Sequence, residues 1–330
     1  MIKLNKILVL CAILVLLILP GCAKKTDEGQ SFDRTGTEGI TASFIPGQPP
    51  EKIYAELNSN NRFDIVLELR NKGNYPESGK GSGASGLGPK FGTIYLSGFD
   101  KNIITNLDQP KEGSRNDLSA MALEGKSQIN PNGGQDIAGF TGAIDRNKLN
   151  VNVYEPILSA TLCYYYETVT GPSVCIDPQP YSAIEKVCQA KDLSMTSQGA
   201  PIAITRIDEE TFATKTQFRI TVKNVGNGQV AEGTEGKCAK PTVQRDDIDK
   251  LKVEYVKAST TELSCGPFID TNIKGNSGLI RLISGEGSII CELPSDLYSN
   301  YVNAYTTPLS IKLSYSYRTS TQRNLRIVKE

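Results

Sequence analysis

The chain has 330 residues, 36 basic and 36 acidic side chains, no histidine and no tryptophan. A formal net charge of zero leaves no electrostatic footprint for nucleic acid or anionic lipid, so no nucleic-acid partner is expected. The lack of histidine excludes Ser-His-Asp and Cys-His nucleophile systems and removes the commonest metal ligand.

Lys3 and Lys6 precede an unbroken apolar run from Ile7 to Leu19, followed by small residues, which is the pattern of an export signal. At ~1.5 Å per residue the run spans roughly 20 Å, short of the ~30 Å hydrocarbon core, so removal is favoured over retention as a span. Leu19-Pro20-Gly21-Cys22 resembles the lipobox of exported lipoproteins, although a proline stands where a small or aliphatic residue is usual. The resemblance implies lipidation of Cys22, with residues 1–22 as a lipoprotein-type signal peptide or anchor; an uncleaved anchor and plain secretion remain the alternatives. Residues 23–39 are polar and charged without apolar periodicity, a flexible tether. Without the two leader lysines the balance is 36 − 2 = 34 basic against 36 acidic, still near neutral.

The remainder is too long for one small sandwich and suits two domains, 40–180 and 181–330. In the first, Ile40–Ile45, Phe63–Arg70 and Phe91–Leu96 read as strands, with a stiff proline corner at 46–50 and short strands around Leu123 and Phe140–Ile144. The glycine-rich stretch Glu77–Gly88 lacks the G-x-x-x-x-G-K-[ST] spacing and precedes no helical pattern, so it reads as a flexible hairpin loop and not a phosphate cradle. Tyr181–Cys188 is a connector with room for one helical turn. Ile202–Ile207, Phe218–Lys223, Leu251–Val256, Leu279–Ile283 and Ile289–Cys291 supply strands of the second domain.

Two internal echoes support this division. Leu158–Asp177 returns as Leu309–Val328 at a constant offset, placing Ala160, Leu162, Tyr164 and Tyr166 on Ile311, Leu313, Tyr315 and Tyr317. Their alternation with polar residues predicts a strand with these side chains in a core, and the following Thr-rich or Gly-Pro segment predicts a hairpin closing each repeat. Upstream, Ile65, Leu67 and Leu69 lead into Asn71-Lys-Gly-Asn74, as Phe218, Ile220 and Val222 lead into Asn224-Val-Gly-Asn227. Asn and Gly tolerate the left-handed backbone of a tight turn, which is the expected reason for this motif.

Beyond Cys11 and Cys22 lie Cys163, Cys175, Cys188, Cys238, Cys265 and Cys291, an even number in an exported chain, which predicts three disulfides. Cys163 and Cys175 are both absent from the second copy, which predicts their pairing across the outward face of a hairpin. Cys265 and Cys291 bracket a strand-like run and are expected to pair, leaving Cys188 for Cys238. With no C-x-x-C and no histidine, neither a metal site nor any other cofactor is expected.

Carboxylates could carry glycoside hydrolysis, but Asp208, Glu209 and Glu210, and likewise Asp246, Asp247 and Asp249, are too close in sequence to face across a cleft. Tyr165, Tyr298, Tyr301 and Tyr305 are instead candidates for an exposed recognition surface.

The alternating strand into Asn71-Lys-Gly-Asn74 and Asn224-Val-Gly-Asn227 resembles the CARDB-type immunoglobulin-like modules of prokaryotic cell-surface proteins. That resemblance implies two tandem immunoglobulin-like antiparallel β-sandwiches, all-β, with an extracellular interaction role. The expectation is an extracytoplasmic, membrane-anchored envelope protein that is not an enzyme and binds an unidentified envelope protein or glycan. A structural spacer is the alternative, with a glycan-active sandwich enzyme behind it.

Overall fold

The computed structural model describes residues 34–57, 59–77, 79–83, 85–107, 117–233, 238, 243–270, 275–298 and 303–330. The leader with Cys22, the tether up to residue 33 and Tyr301 lie outside the described residues. Strands form where apolar residues alternate. The first repeat contributes β1 (Ile40–Phe44), β2 (Lys52–Ala55), β3 (Arg62–Asn71), β4 (Gly92–Ser97), β5 (Ile104–Thr105), β6 (Gln135–Ile144), β7 (Val153–Tyr154), β8 (Ile157–Thr170) and β9 (Ser173–Ile176). The second contributes β10 (Leu193–Ser194), β11 (Ile202–Thr211), β12 (Lys215–Asn224), β13 (Gln229–Ala231), β14 (Lys250–Ala258), β15 (Thr261–Glu262), β16 (Ser264–Gly266), β17 (Gly278–Arg281), β18 (Glu286–Pro294), β19 (Tyr305–Asn324) and β20 (Arg326–Lys329).

The fold is all-β and almost wholly antiparallel, as the alternation predicts. Each repeat builds its own sheet, β1-β3-β6-β5 in the first and β10-β11-β12-β18-β16 in the second. The other layer is common to both: an eight-stranded sheet whose path β15-β14-β19-β8-β4 crosses from one repeat to the other. Residues Arg34–Glu330 form one compact unit, with a single main core cluster containing residues of both repeats.

The expected closing hairpins do not exist. β8 pairs with β19 along its whole length, from Ile157↔Asn324 to Thr170↔Ile311, and β9 continues along the same partner, Ile176 opposite Tyr305. β20 likewise leaves its own repeat to pair with β7, Ile327 opposite Tyr154, and in parallel with β2. The two exchanges are equivalent, since 327 − 176 = 151 and 305 − 154 = 151. Each repeat therefore gives its last strand to the other. A pseudo-twofold axis passes through the β8–β19 pair at Tyr165↔Ser316, which are repeat counterparts because 165 + 151 = 316. The boundary near residue 180 lies in the connector, which has no helical turn. β3 and β4 lie in different sheets, so the glycine-rich segment between them is a crossover; Ser85 ties it to Met121, with its hydroxyl donating to the carbonyl at 2.9 Å.

The disulfides correct the predicted connectivity. Cys163 bonds Cys238, Cys175 bonds Cys188 and Cys265 bonds Cys291. Only the last matches the expectation; it joins directly opposed residues of β16 and β18. Cys163 and Cys175 cannot meet because β8 and β9 run consecutively along one partner: 175 − 163 = 12 residues at ~3.3 Å each is roughly 40 Å, against the ~6 Å between Cα atoms that a disulfide needs. Nor is the face around Cys163 solvent, because Ala231, Cys238 and Phe91 cover it.

Tyr164, Tyr166, Tyr315 and Tyr317 are buried as predicted, and they close a ring around the axis. Tyr164 sits opposite Tyr317 and Tyr166 opposite Tyr315, with centroid separations of 5.8 to 6.3 Å around the square. Tyr166 Oη donates to Asn71 Oδ1 at 3.1 Å and accepts from Tyr75 N at 3.3 Å. In the second repeat Tyr317 Oη donates to Asn224 Oδ1 at 3.0 Å and accepts from Gly228 N at 2.8 Å. The carboxamides also hold the turns, Asn71 Nδ2 donating to Tyr75 O at 2.7 Å and Asn224 Nδ2 to Gly228 O at 2.9 Å. Asn71 adds bonds to Leu123 O at 2.8 Å and from Gly73 N at 3.1 Å, filling all four hydrogen-bonding positions of its amide.

This geometry replaces the left-handed-turn explanation of Asn-x-Gly-Asn. Neither Gly73 nor Gly226 has positive φ. A Cβ at Gly73 would lie 2.1 Å from Tyr166 Oη, and one at Gly226 2.4 Å from Tyr317 Oη. The glycine is there to admit the tyrosine.

Asn71 is fully buried while Asn224 is half-buried with fewer bonds in place. Asn71→Ala should cost about 3–4 kcal/mol and Asn224→Ala about 1–2 kcal/mol, since the former strands more buried partners. Denaturant unfolding of the disulfide-intact chain checks this, and equal losses would contradict the assignment.

Candidate binding grooves

Of the four tyrosines expected on an exposed surface, the three that are described, Tyr165, Tyr298 and Tyr305, do not assemble there. Tyr298 is only 2% exposed, its hydroxyl 3.2 Å from Thr216 Oγ1. Tyr305 is half-buried in β19, packed on the main core, and Tyr301 lies outside the described residues. Tyr165 lies edge-on to Tyr75 at 5.7 Å, tilted against Phe91 at 6.0 Å, with Lys90 Nζ 5.8 Å from its ring. Its hydroxyl donates to Glu167 Oε1 at 2.7 Å, so burial and then that carboxylate push its pKa well up. Tyr165 is a packed element of the seam between repeats.

The concavities lie along that seam instead, each drawing on both repeats. One, of about 880 Å³, has an apolar floor of Phe44, Pro46, Pro156 and Leu325. Arg323, Arg326, Glu51 and Glu155 supply its charge. Arg323 Nη1 donates to Ile45 O at 3.2 Å, and Arg326 Nη1 lies 3.5 Å from Glu155 Oε1. A second groove of about 420 Å³ adjoins it, between Thr41–Ser43 of β1 and Thr319–Thr321 of β19. Glu38–Lys72 at 3.1 Å and Glu68–Arg70 at 3.5 Å rim it.

A third, about 330 Å³, lies between Tyr75 and Glu77 of the first repeat and Gln198, Tyr255 and Lys312 of the second. Here the hydrogen bond from Lys80, and the charge of Arg34, hold Glu77 below the usual carboxylate range against the opposing effect of burial. Burial pushes Tyr75 up to about 12.

The first two grooves are not apparent in the sequence, because the hairpin expected at Thr319-Ser-Thr-Gln-Arg323 hides the strand that lines them. One signal was present. The segment has no Gly, Pro or Asn, and its β-branched threonines favour an uninterrupted strand, which is what β19 is over 20 residues.

The carboxylate sets separate as alternation dictates. Asp208 contacts Arg206, which also bonds Asp192 Oδ2 at 2.7 Å, and Glu210 is exposed. Glu209 between them is buried, with Oε2 accepting from Cys175 N at 3.3 Å and Oε1 unpartnered among the described residues. Asp246, Asp247 and Asp249 lie in the turn before β14. Among the described residues no group of three or more acidic, cysteine or histidine side chains is placed to hold a metal, and no helix is long and apolar enough to cross a membrane. No protein-family model matches the chain, and no curated protein does.

Burial pushes the Glu209 carboxyl up to about 7, against the opposing backbone N–H groups of Cys175 and Lys191. The folded state therefore binds this proton more tightly than the unfolded state. The stability it contributes is full below the unfolded value of about 4.5 and is lost as pH rises to about 7. Glu209→Gln should remove that dependence and raise stability at pH 8 by about 2 kcal/mol. Unfolding midpoints across this pH range check it; an unchanged profile would contradict the assignment.

Proposed function

We propose that the chain is an exported, membrane-anchored envelope protein that acts by binding, as a non-catalytic adhesion or assembly module with an envelope protein or glycan as partner. Three disulfides favour an extracytoplasmic setting, and the lipobox-like Leu19–Cys22 favours a lipid anchor at Cys22. The observation that carries the binding reading is the seam, where preformed grooves containing aromatic, proline and arginine side chains are fixed by a sheet common to both repeats.

A general acid needs a carboxyl kept protonated by burial. Glu51 and Glu155 in the 880 Å³ groove are exposed, and Glu155 is ion-paired with Arg326. That favours recognition over hydrolysis. The continuous sheet also suits a rigid spacer, so the two readings need separating.

A photo-crosslinking residue at Glu51 or Arg70, with the exposed turn residue Ile283 as control, separates them in intact cells. Binding predicts a discrete adduct from the groove positions and none from the control. A spacer predicts no discrete adduct from any of the three.

A further inference from the structure

The repeats differ at one edge. In the second, β11 is covered by β10, with Leu193 opposite Ile207, Ser194 opposite Arg206 and Met195 N donating to Thr205 O at 2.9 Å. Leu193 and Met195 are half-buried against the core, and Asp192 just before them pairs with Arg206 at 2.7 Å.

In the first repeat the same edge is bare. β1 is the counterpart of β11: Phe44 lies opposite Leu67 as Ile207 lies opposite Ile220, and 67 + 153 = 220, the offset relating Asn71 to Asn224. Gly39 O and Ile45 N bond to the β3 side, so the backbone groups of Ala42 and Phe44 point the other way. β1 ends its sheet, and no strand pairs with that edge among the described residues.

The two adjoining grooves open there, with Ala42 and Ser43 lining one and Phe44 the other. Arg323 lies beside Ile45 with no carboxylate partner among the described residues, where the second repeat has its Arg206–Asp192 pair. The chain leading into β1 does not return to this edge over its described part. Gly36 N bonds Ser197 Oγ at 3.1 Å and Arg34 bonds Glu77 at 2.8 Å, both beyond the Ile40 end of the strand.

We propose that the free edge of β1 takes up an extended strand from a partner protein, added antiparallel as β10 is added to β11. The second repeat supplies the template for its pattern, an acidic residue followed by apolar-x-apolar. The apolar side chains would cover the Phe44–Leu325 floor, the acid would meet Arg323, and the backbone would satisfy Ala42 and Phe44. This rests on the reading of the seam as a binding site and specifies its partner as polypeptide, not glycan.

The probe is a blocked, fluorescent peptide of the chain's own residues 190–197, Ala-Lys-Asp-Leu-Ser-Met-Thr-Ser. Anisotropy with the full disulfide-intact chain in detergent should show saturable binding, and hydrogen exchange at Ala42 and Phe44 should slow. Ala42→Pro removes an edge N–H without touching the β3 ladder, so it should abolish binding at an unchanged unfolding midpoint. Asp192→Lys in the peptide should weaken binding about threefold or more.

Absence of binding, or binding indifferent to Ala42→Pro, would overturn the proposal. So would slow exchange at Ala42 and Phe44 in the free chain, whether released by deleting residues 23–33 or dependent on protein concentration. The first would mark the chain's own tether as occupant, the second another copy. A groove adduct in cells together with no peptide binding would sink strand addition while leaving the binding reading intact.

Discussion

The structure depends on the antiparallel pairing of β8 with β19, fourteen residues from each repeat joined about a pseudo-twofold axis. Because the partner strands are copies of each other, one register places Tyr165 opposite its counterpart Ser316 and makes the flanking Tyr164–Tyr317 and Tyr166–Tyr315 pairs equivalent. The exchange of β9 and β20 follows from it, since a strand continuing past its own repeat can bond only to the neighbour's edge. Neither repeat is a closed sandwich by itself. The Cys163–Cys238 bond, tying β8 to the second repeat, reinforces the seam covalently and contributes on the order of 4 kcal/mol in the chain-entropy account.

The tyrosine ring turns that pairing into a three-dimensional core. Alternation sends Tyr164, Tyr166, Tyr315 and Tyr317 to one face, where burial supplies the hydrophobic contribution and leaves four hydroxyls to be satisfied. Tyr166 and Tyr317 meet this by reaching the opposite layer at Asn71 and Asn224. Tyr315 instead lies 2.9 Å from Thr168 Oγ1, which itself donates to Ile202 O, a bridge from the first repeat into the second. The two sequence echoes are thus two ends of one contact: the alternating strand supplies the phenol, and Asn-x-Gly-Asn supplies its acceptor and the space beside it.

Most strands and the inward set of tyrosines were legible because both depend on local period. What could not be read was partner choice, because a hairpin and a pair of exchanged strands have the same alternation and differ only in whether the chain reverses. Gly171-Pro172 invited the hairpin reading. The uninterrupted Thr-Ser-Thr run of the second copy spoke against it. The Cys163–Cys175 error followed directly, since facing cysteines were inferred from a reversal that does not happen. The surface role of Tyr298 failed because Thr216, a distant residue in sequence, supplies the partner that lets its ring be buried.

Grooves at the seam, one edge left bare and a sheet that crosses it belong to one design, in which the sheet common to both repeats fixes the geometry of the proposed binding surface. This requires that the repeats fold as one cooperative unit. Scanning calorimetry of the disulfide-intact chain tests the requirement most directly. The account predicts a single transition whose van't Hoff and calorimetric enthalpies agree. Two resolved transitions, each carrying the enthalpy of one repeat, would contradict it.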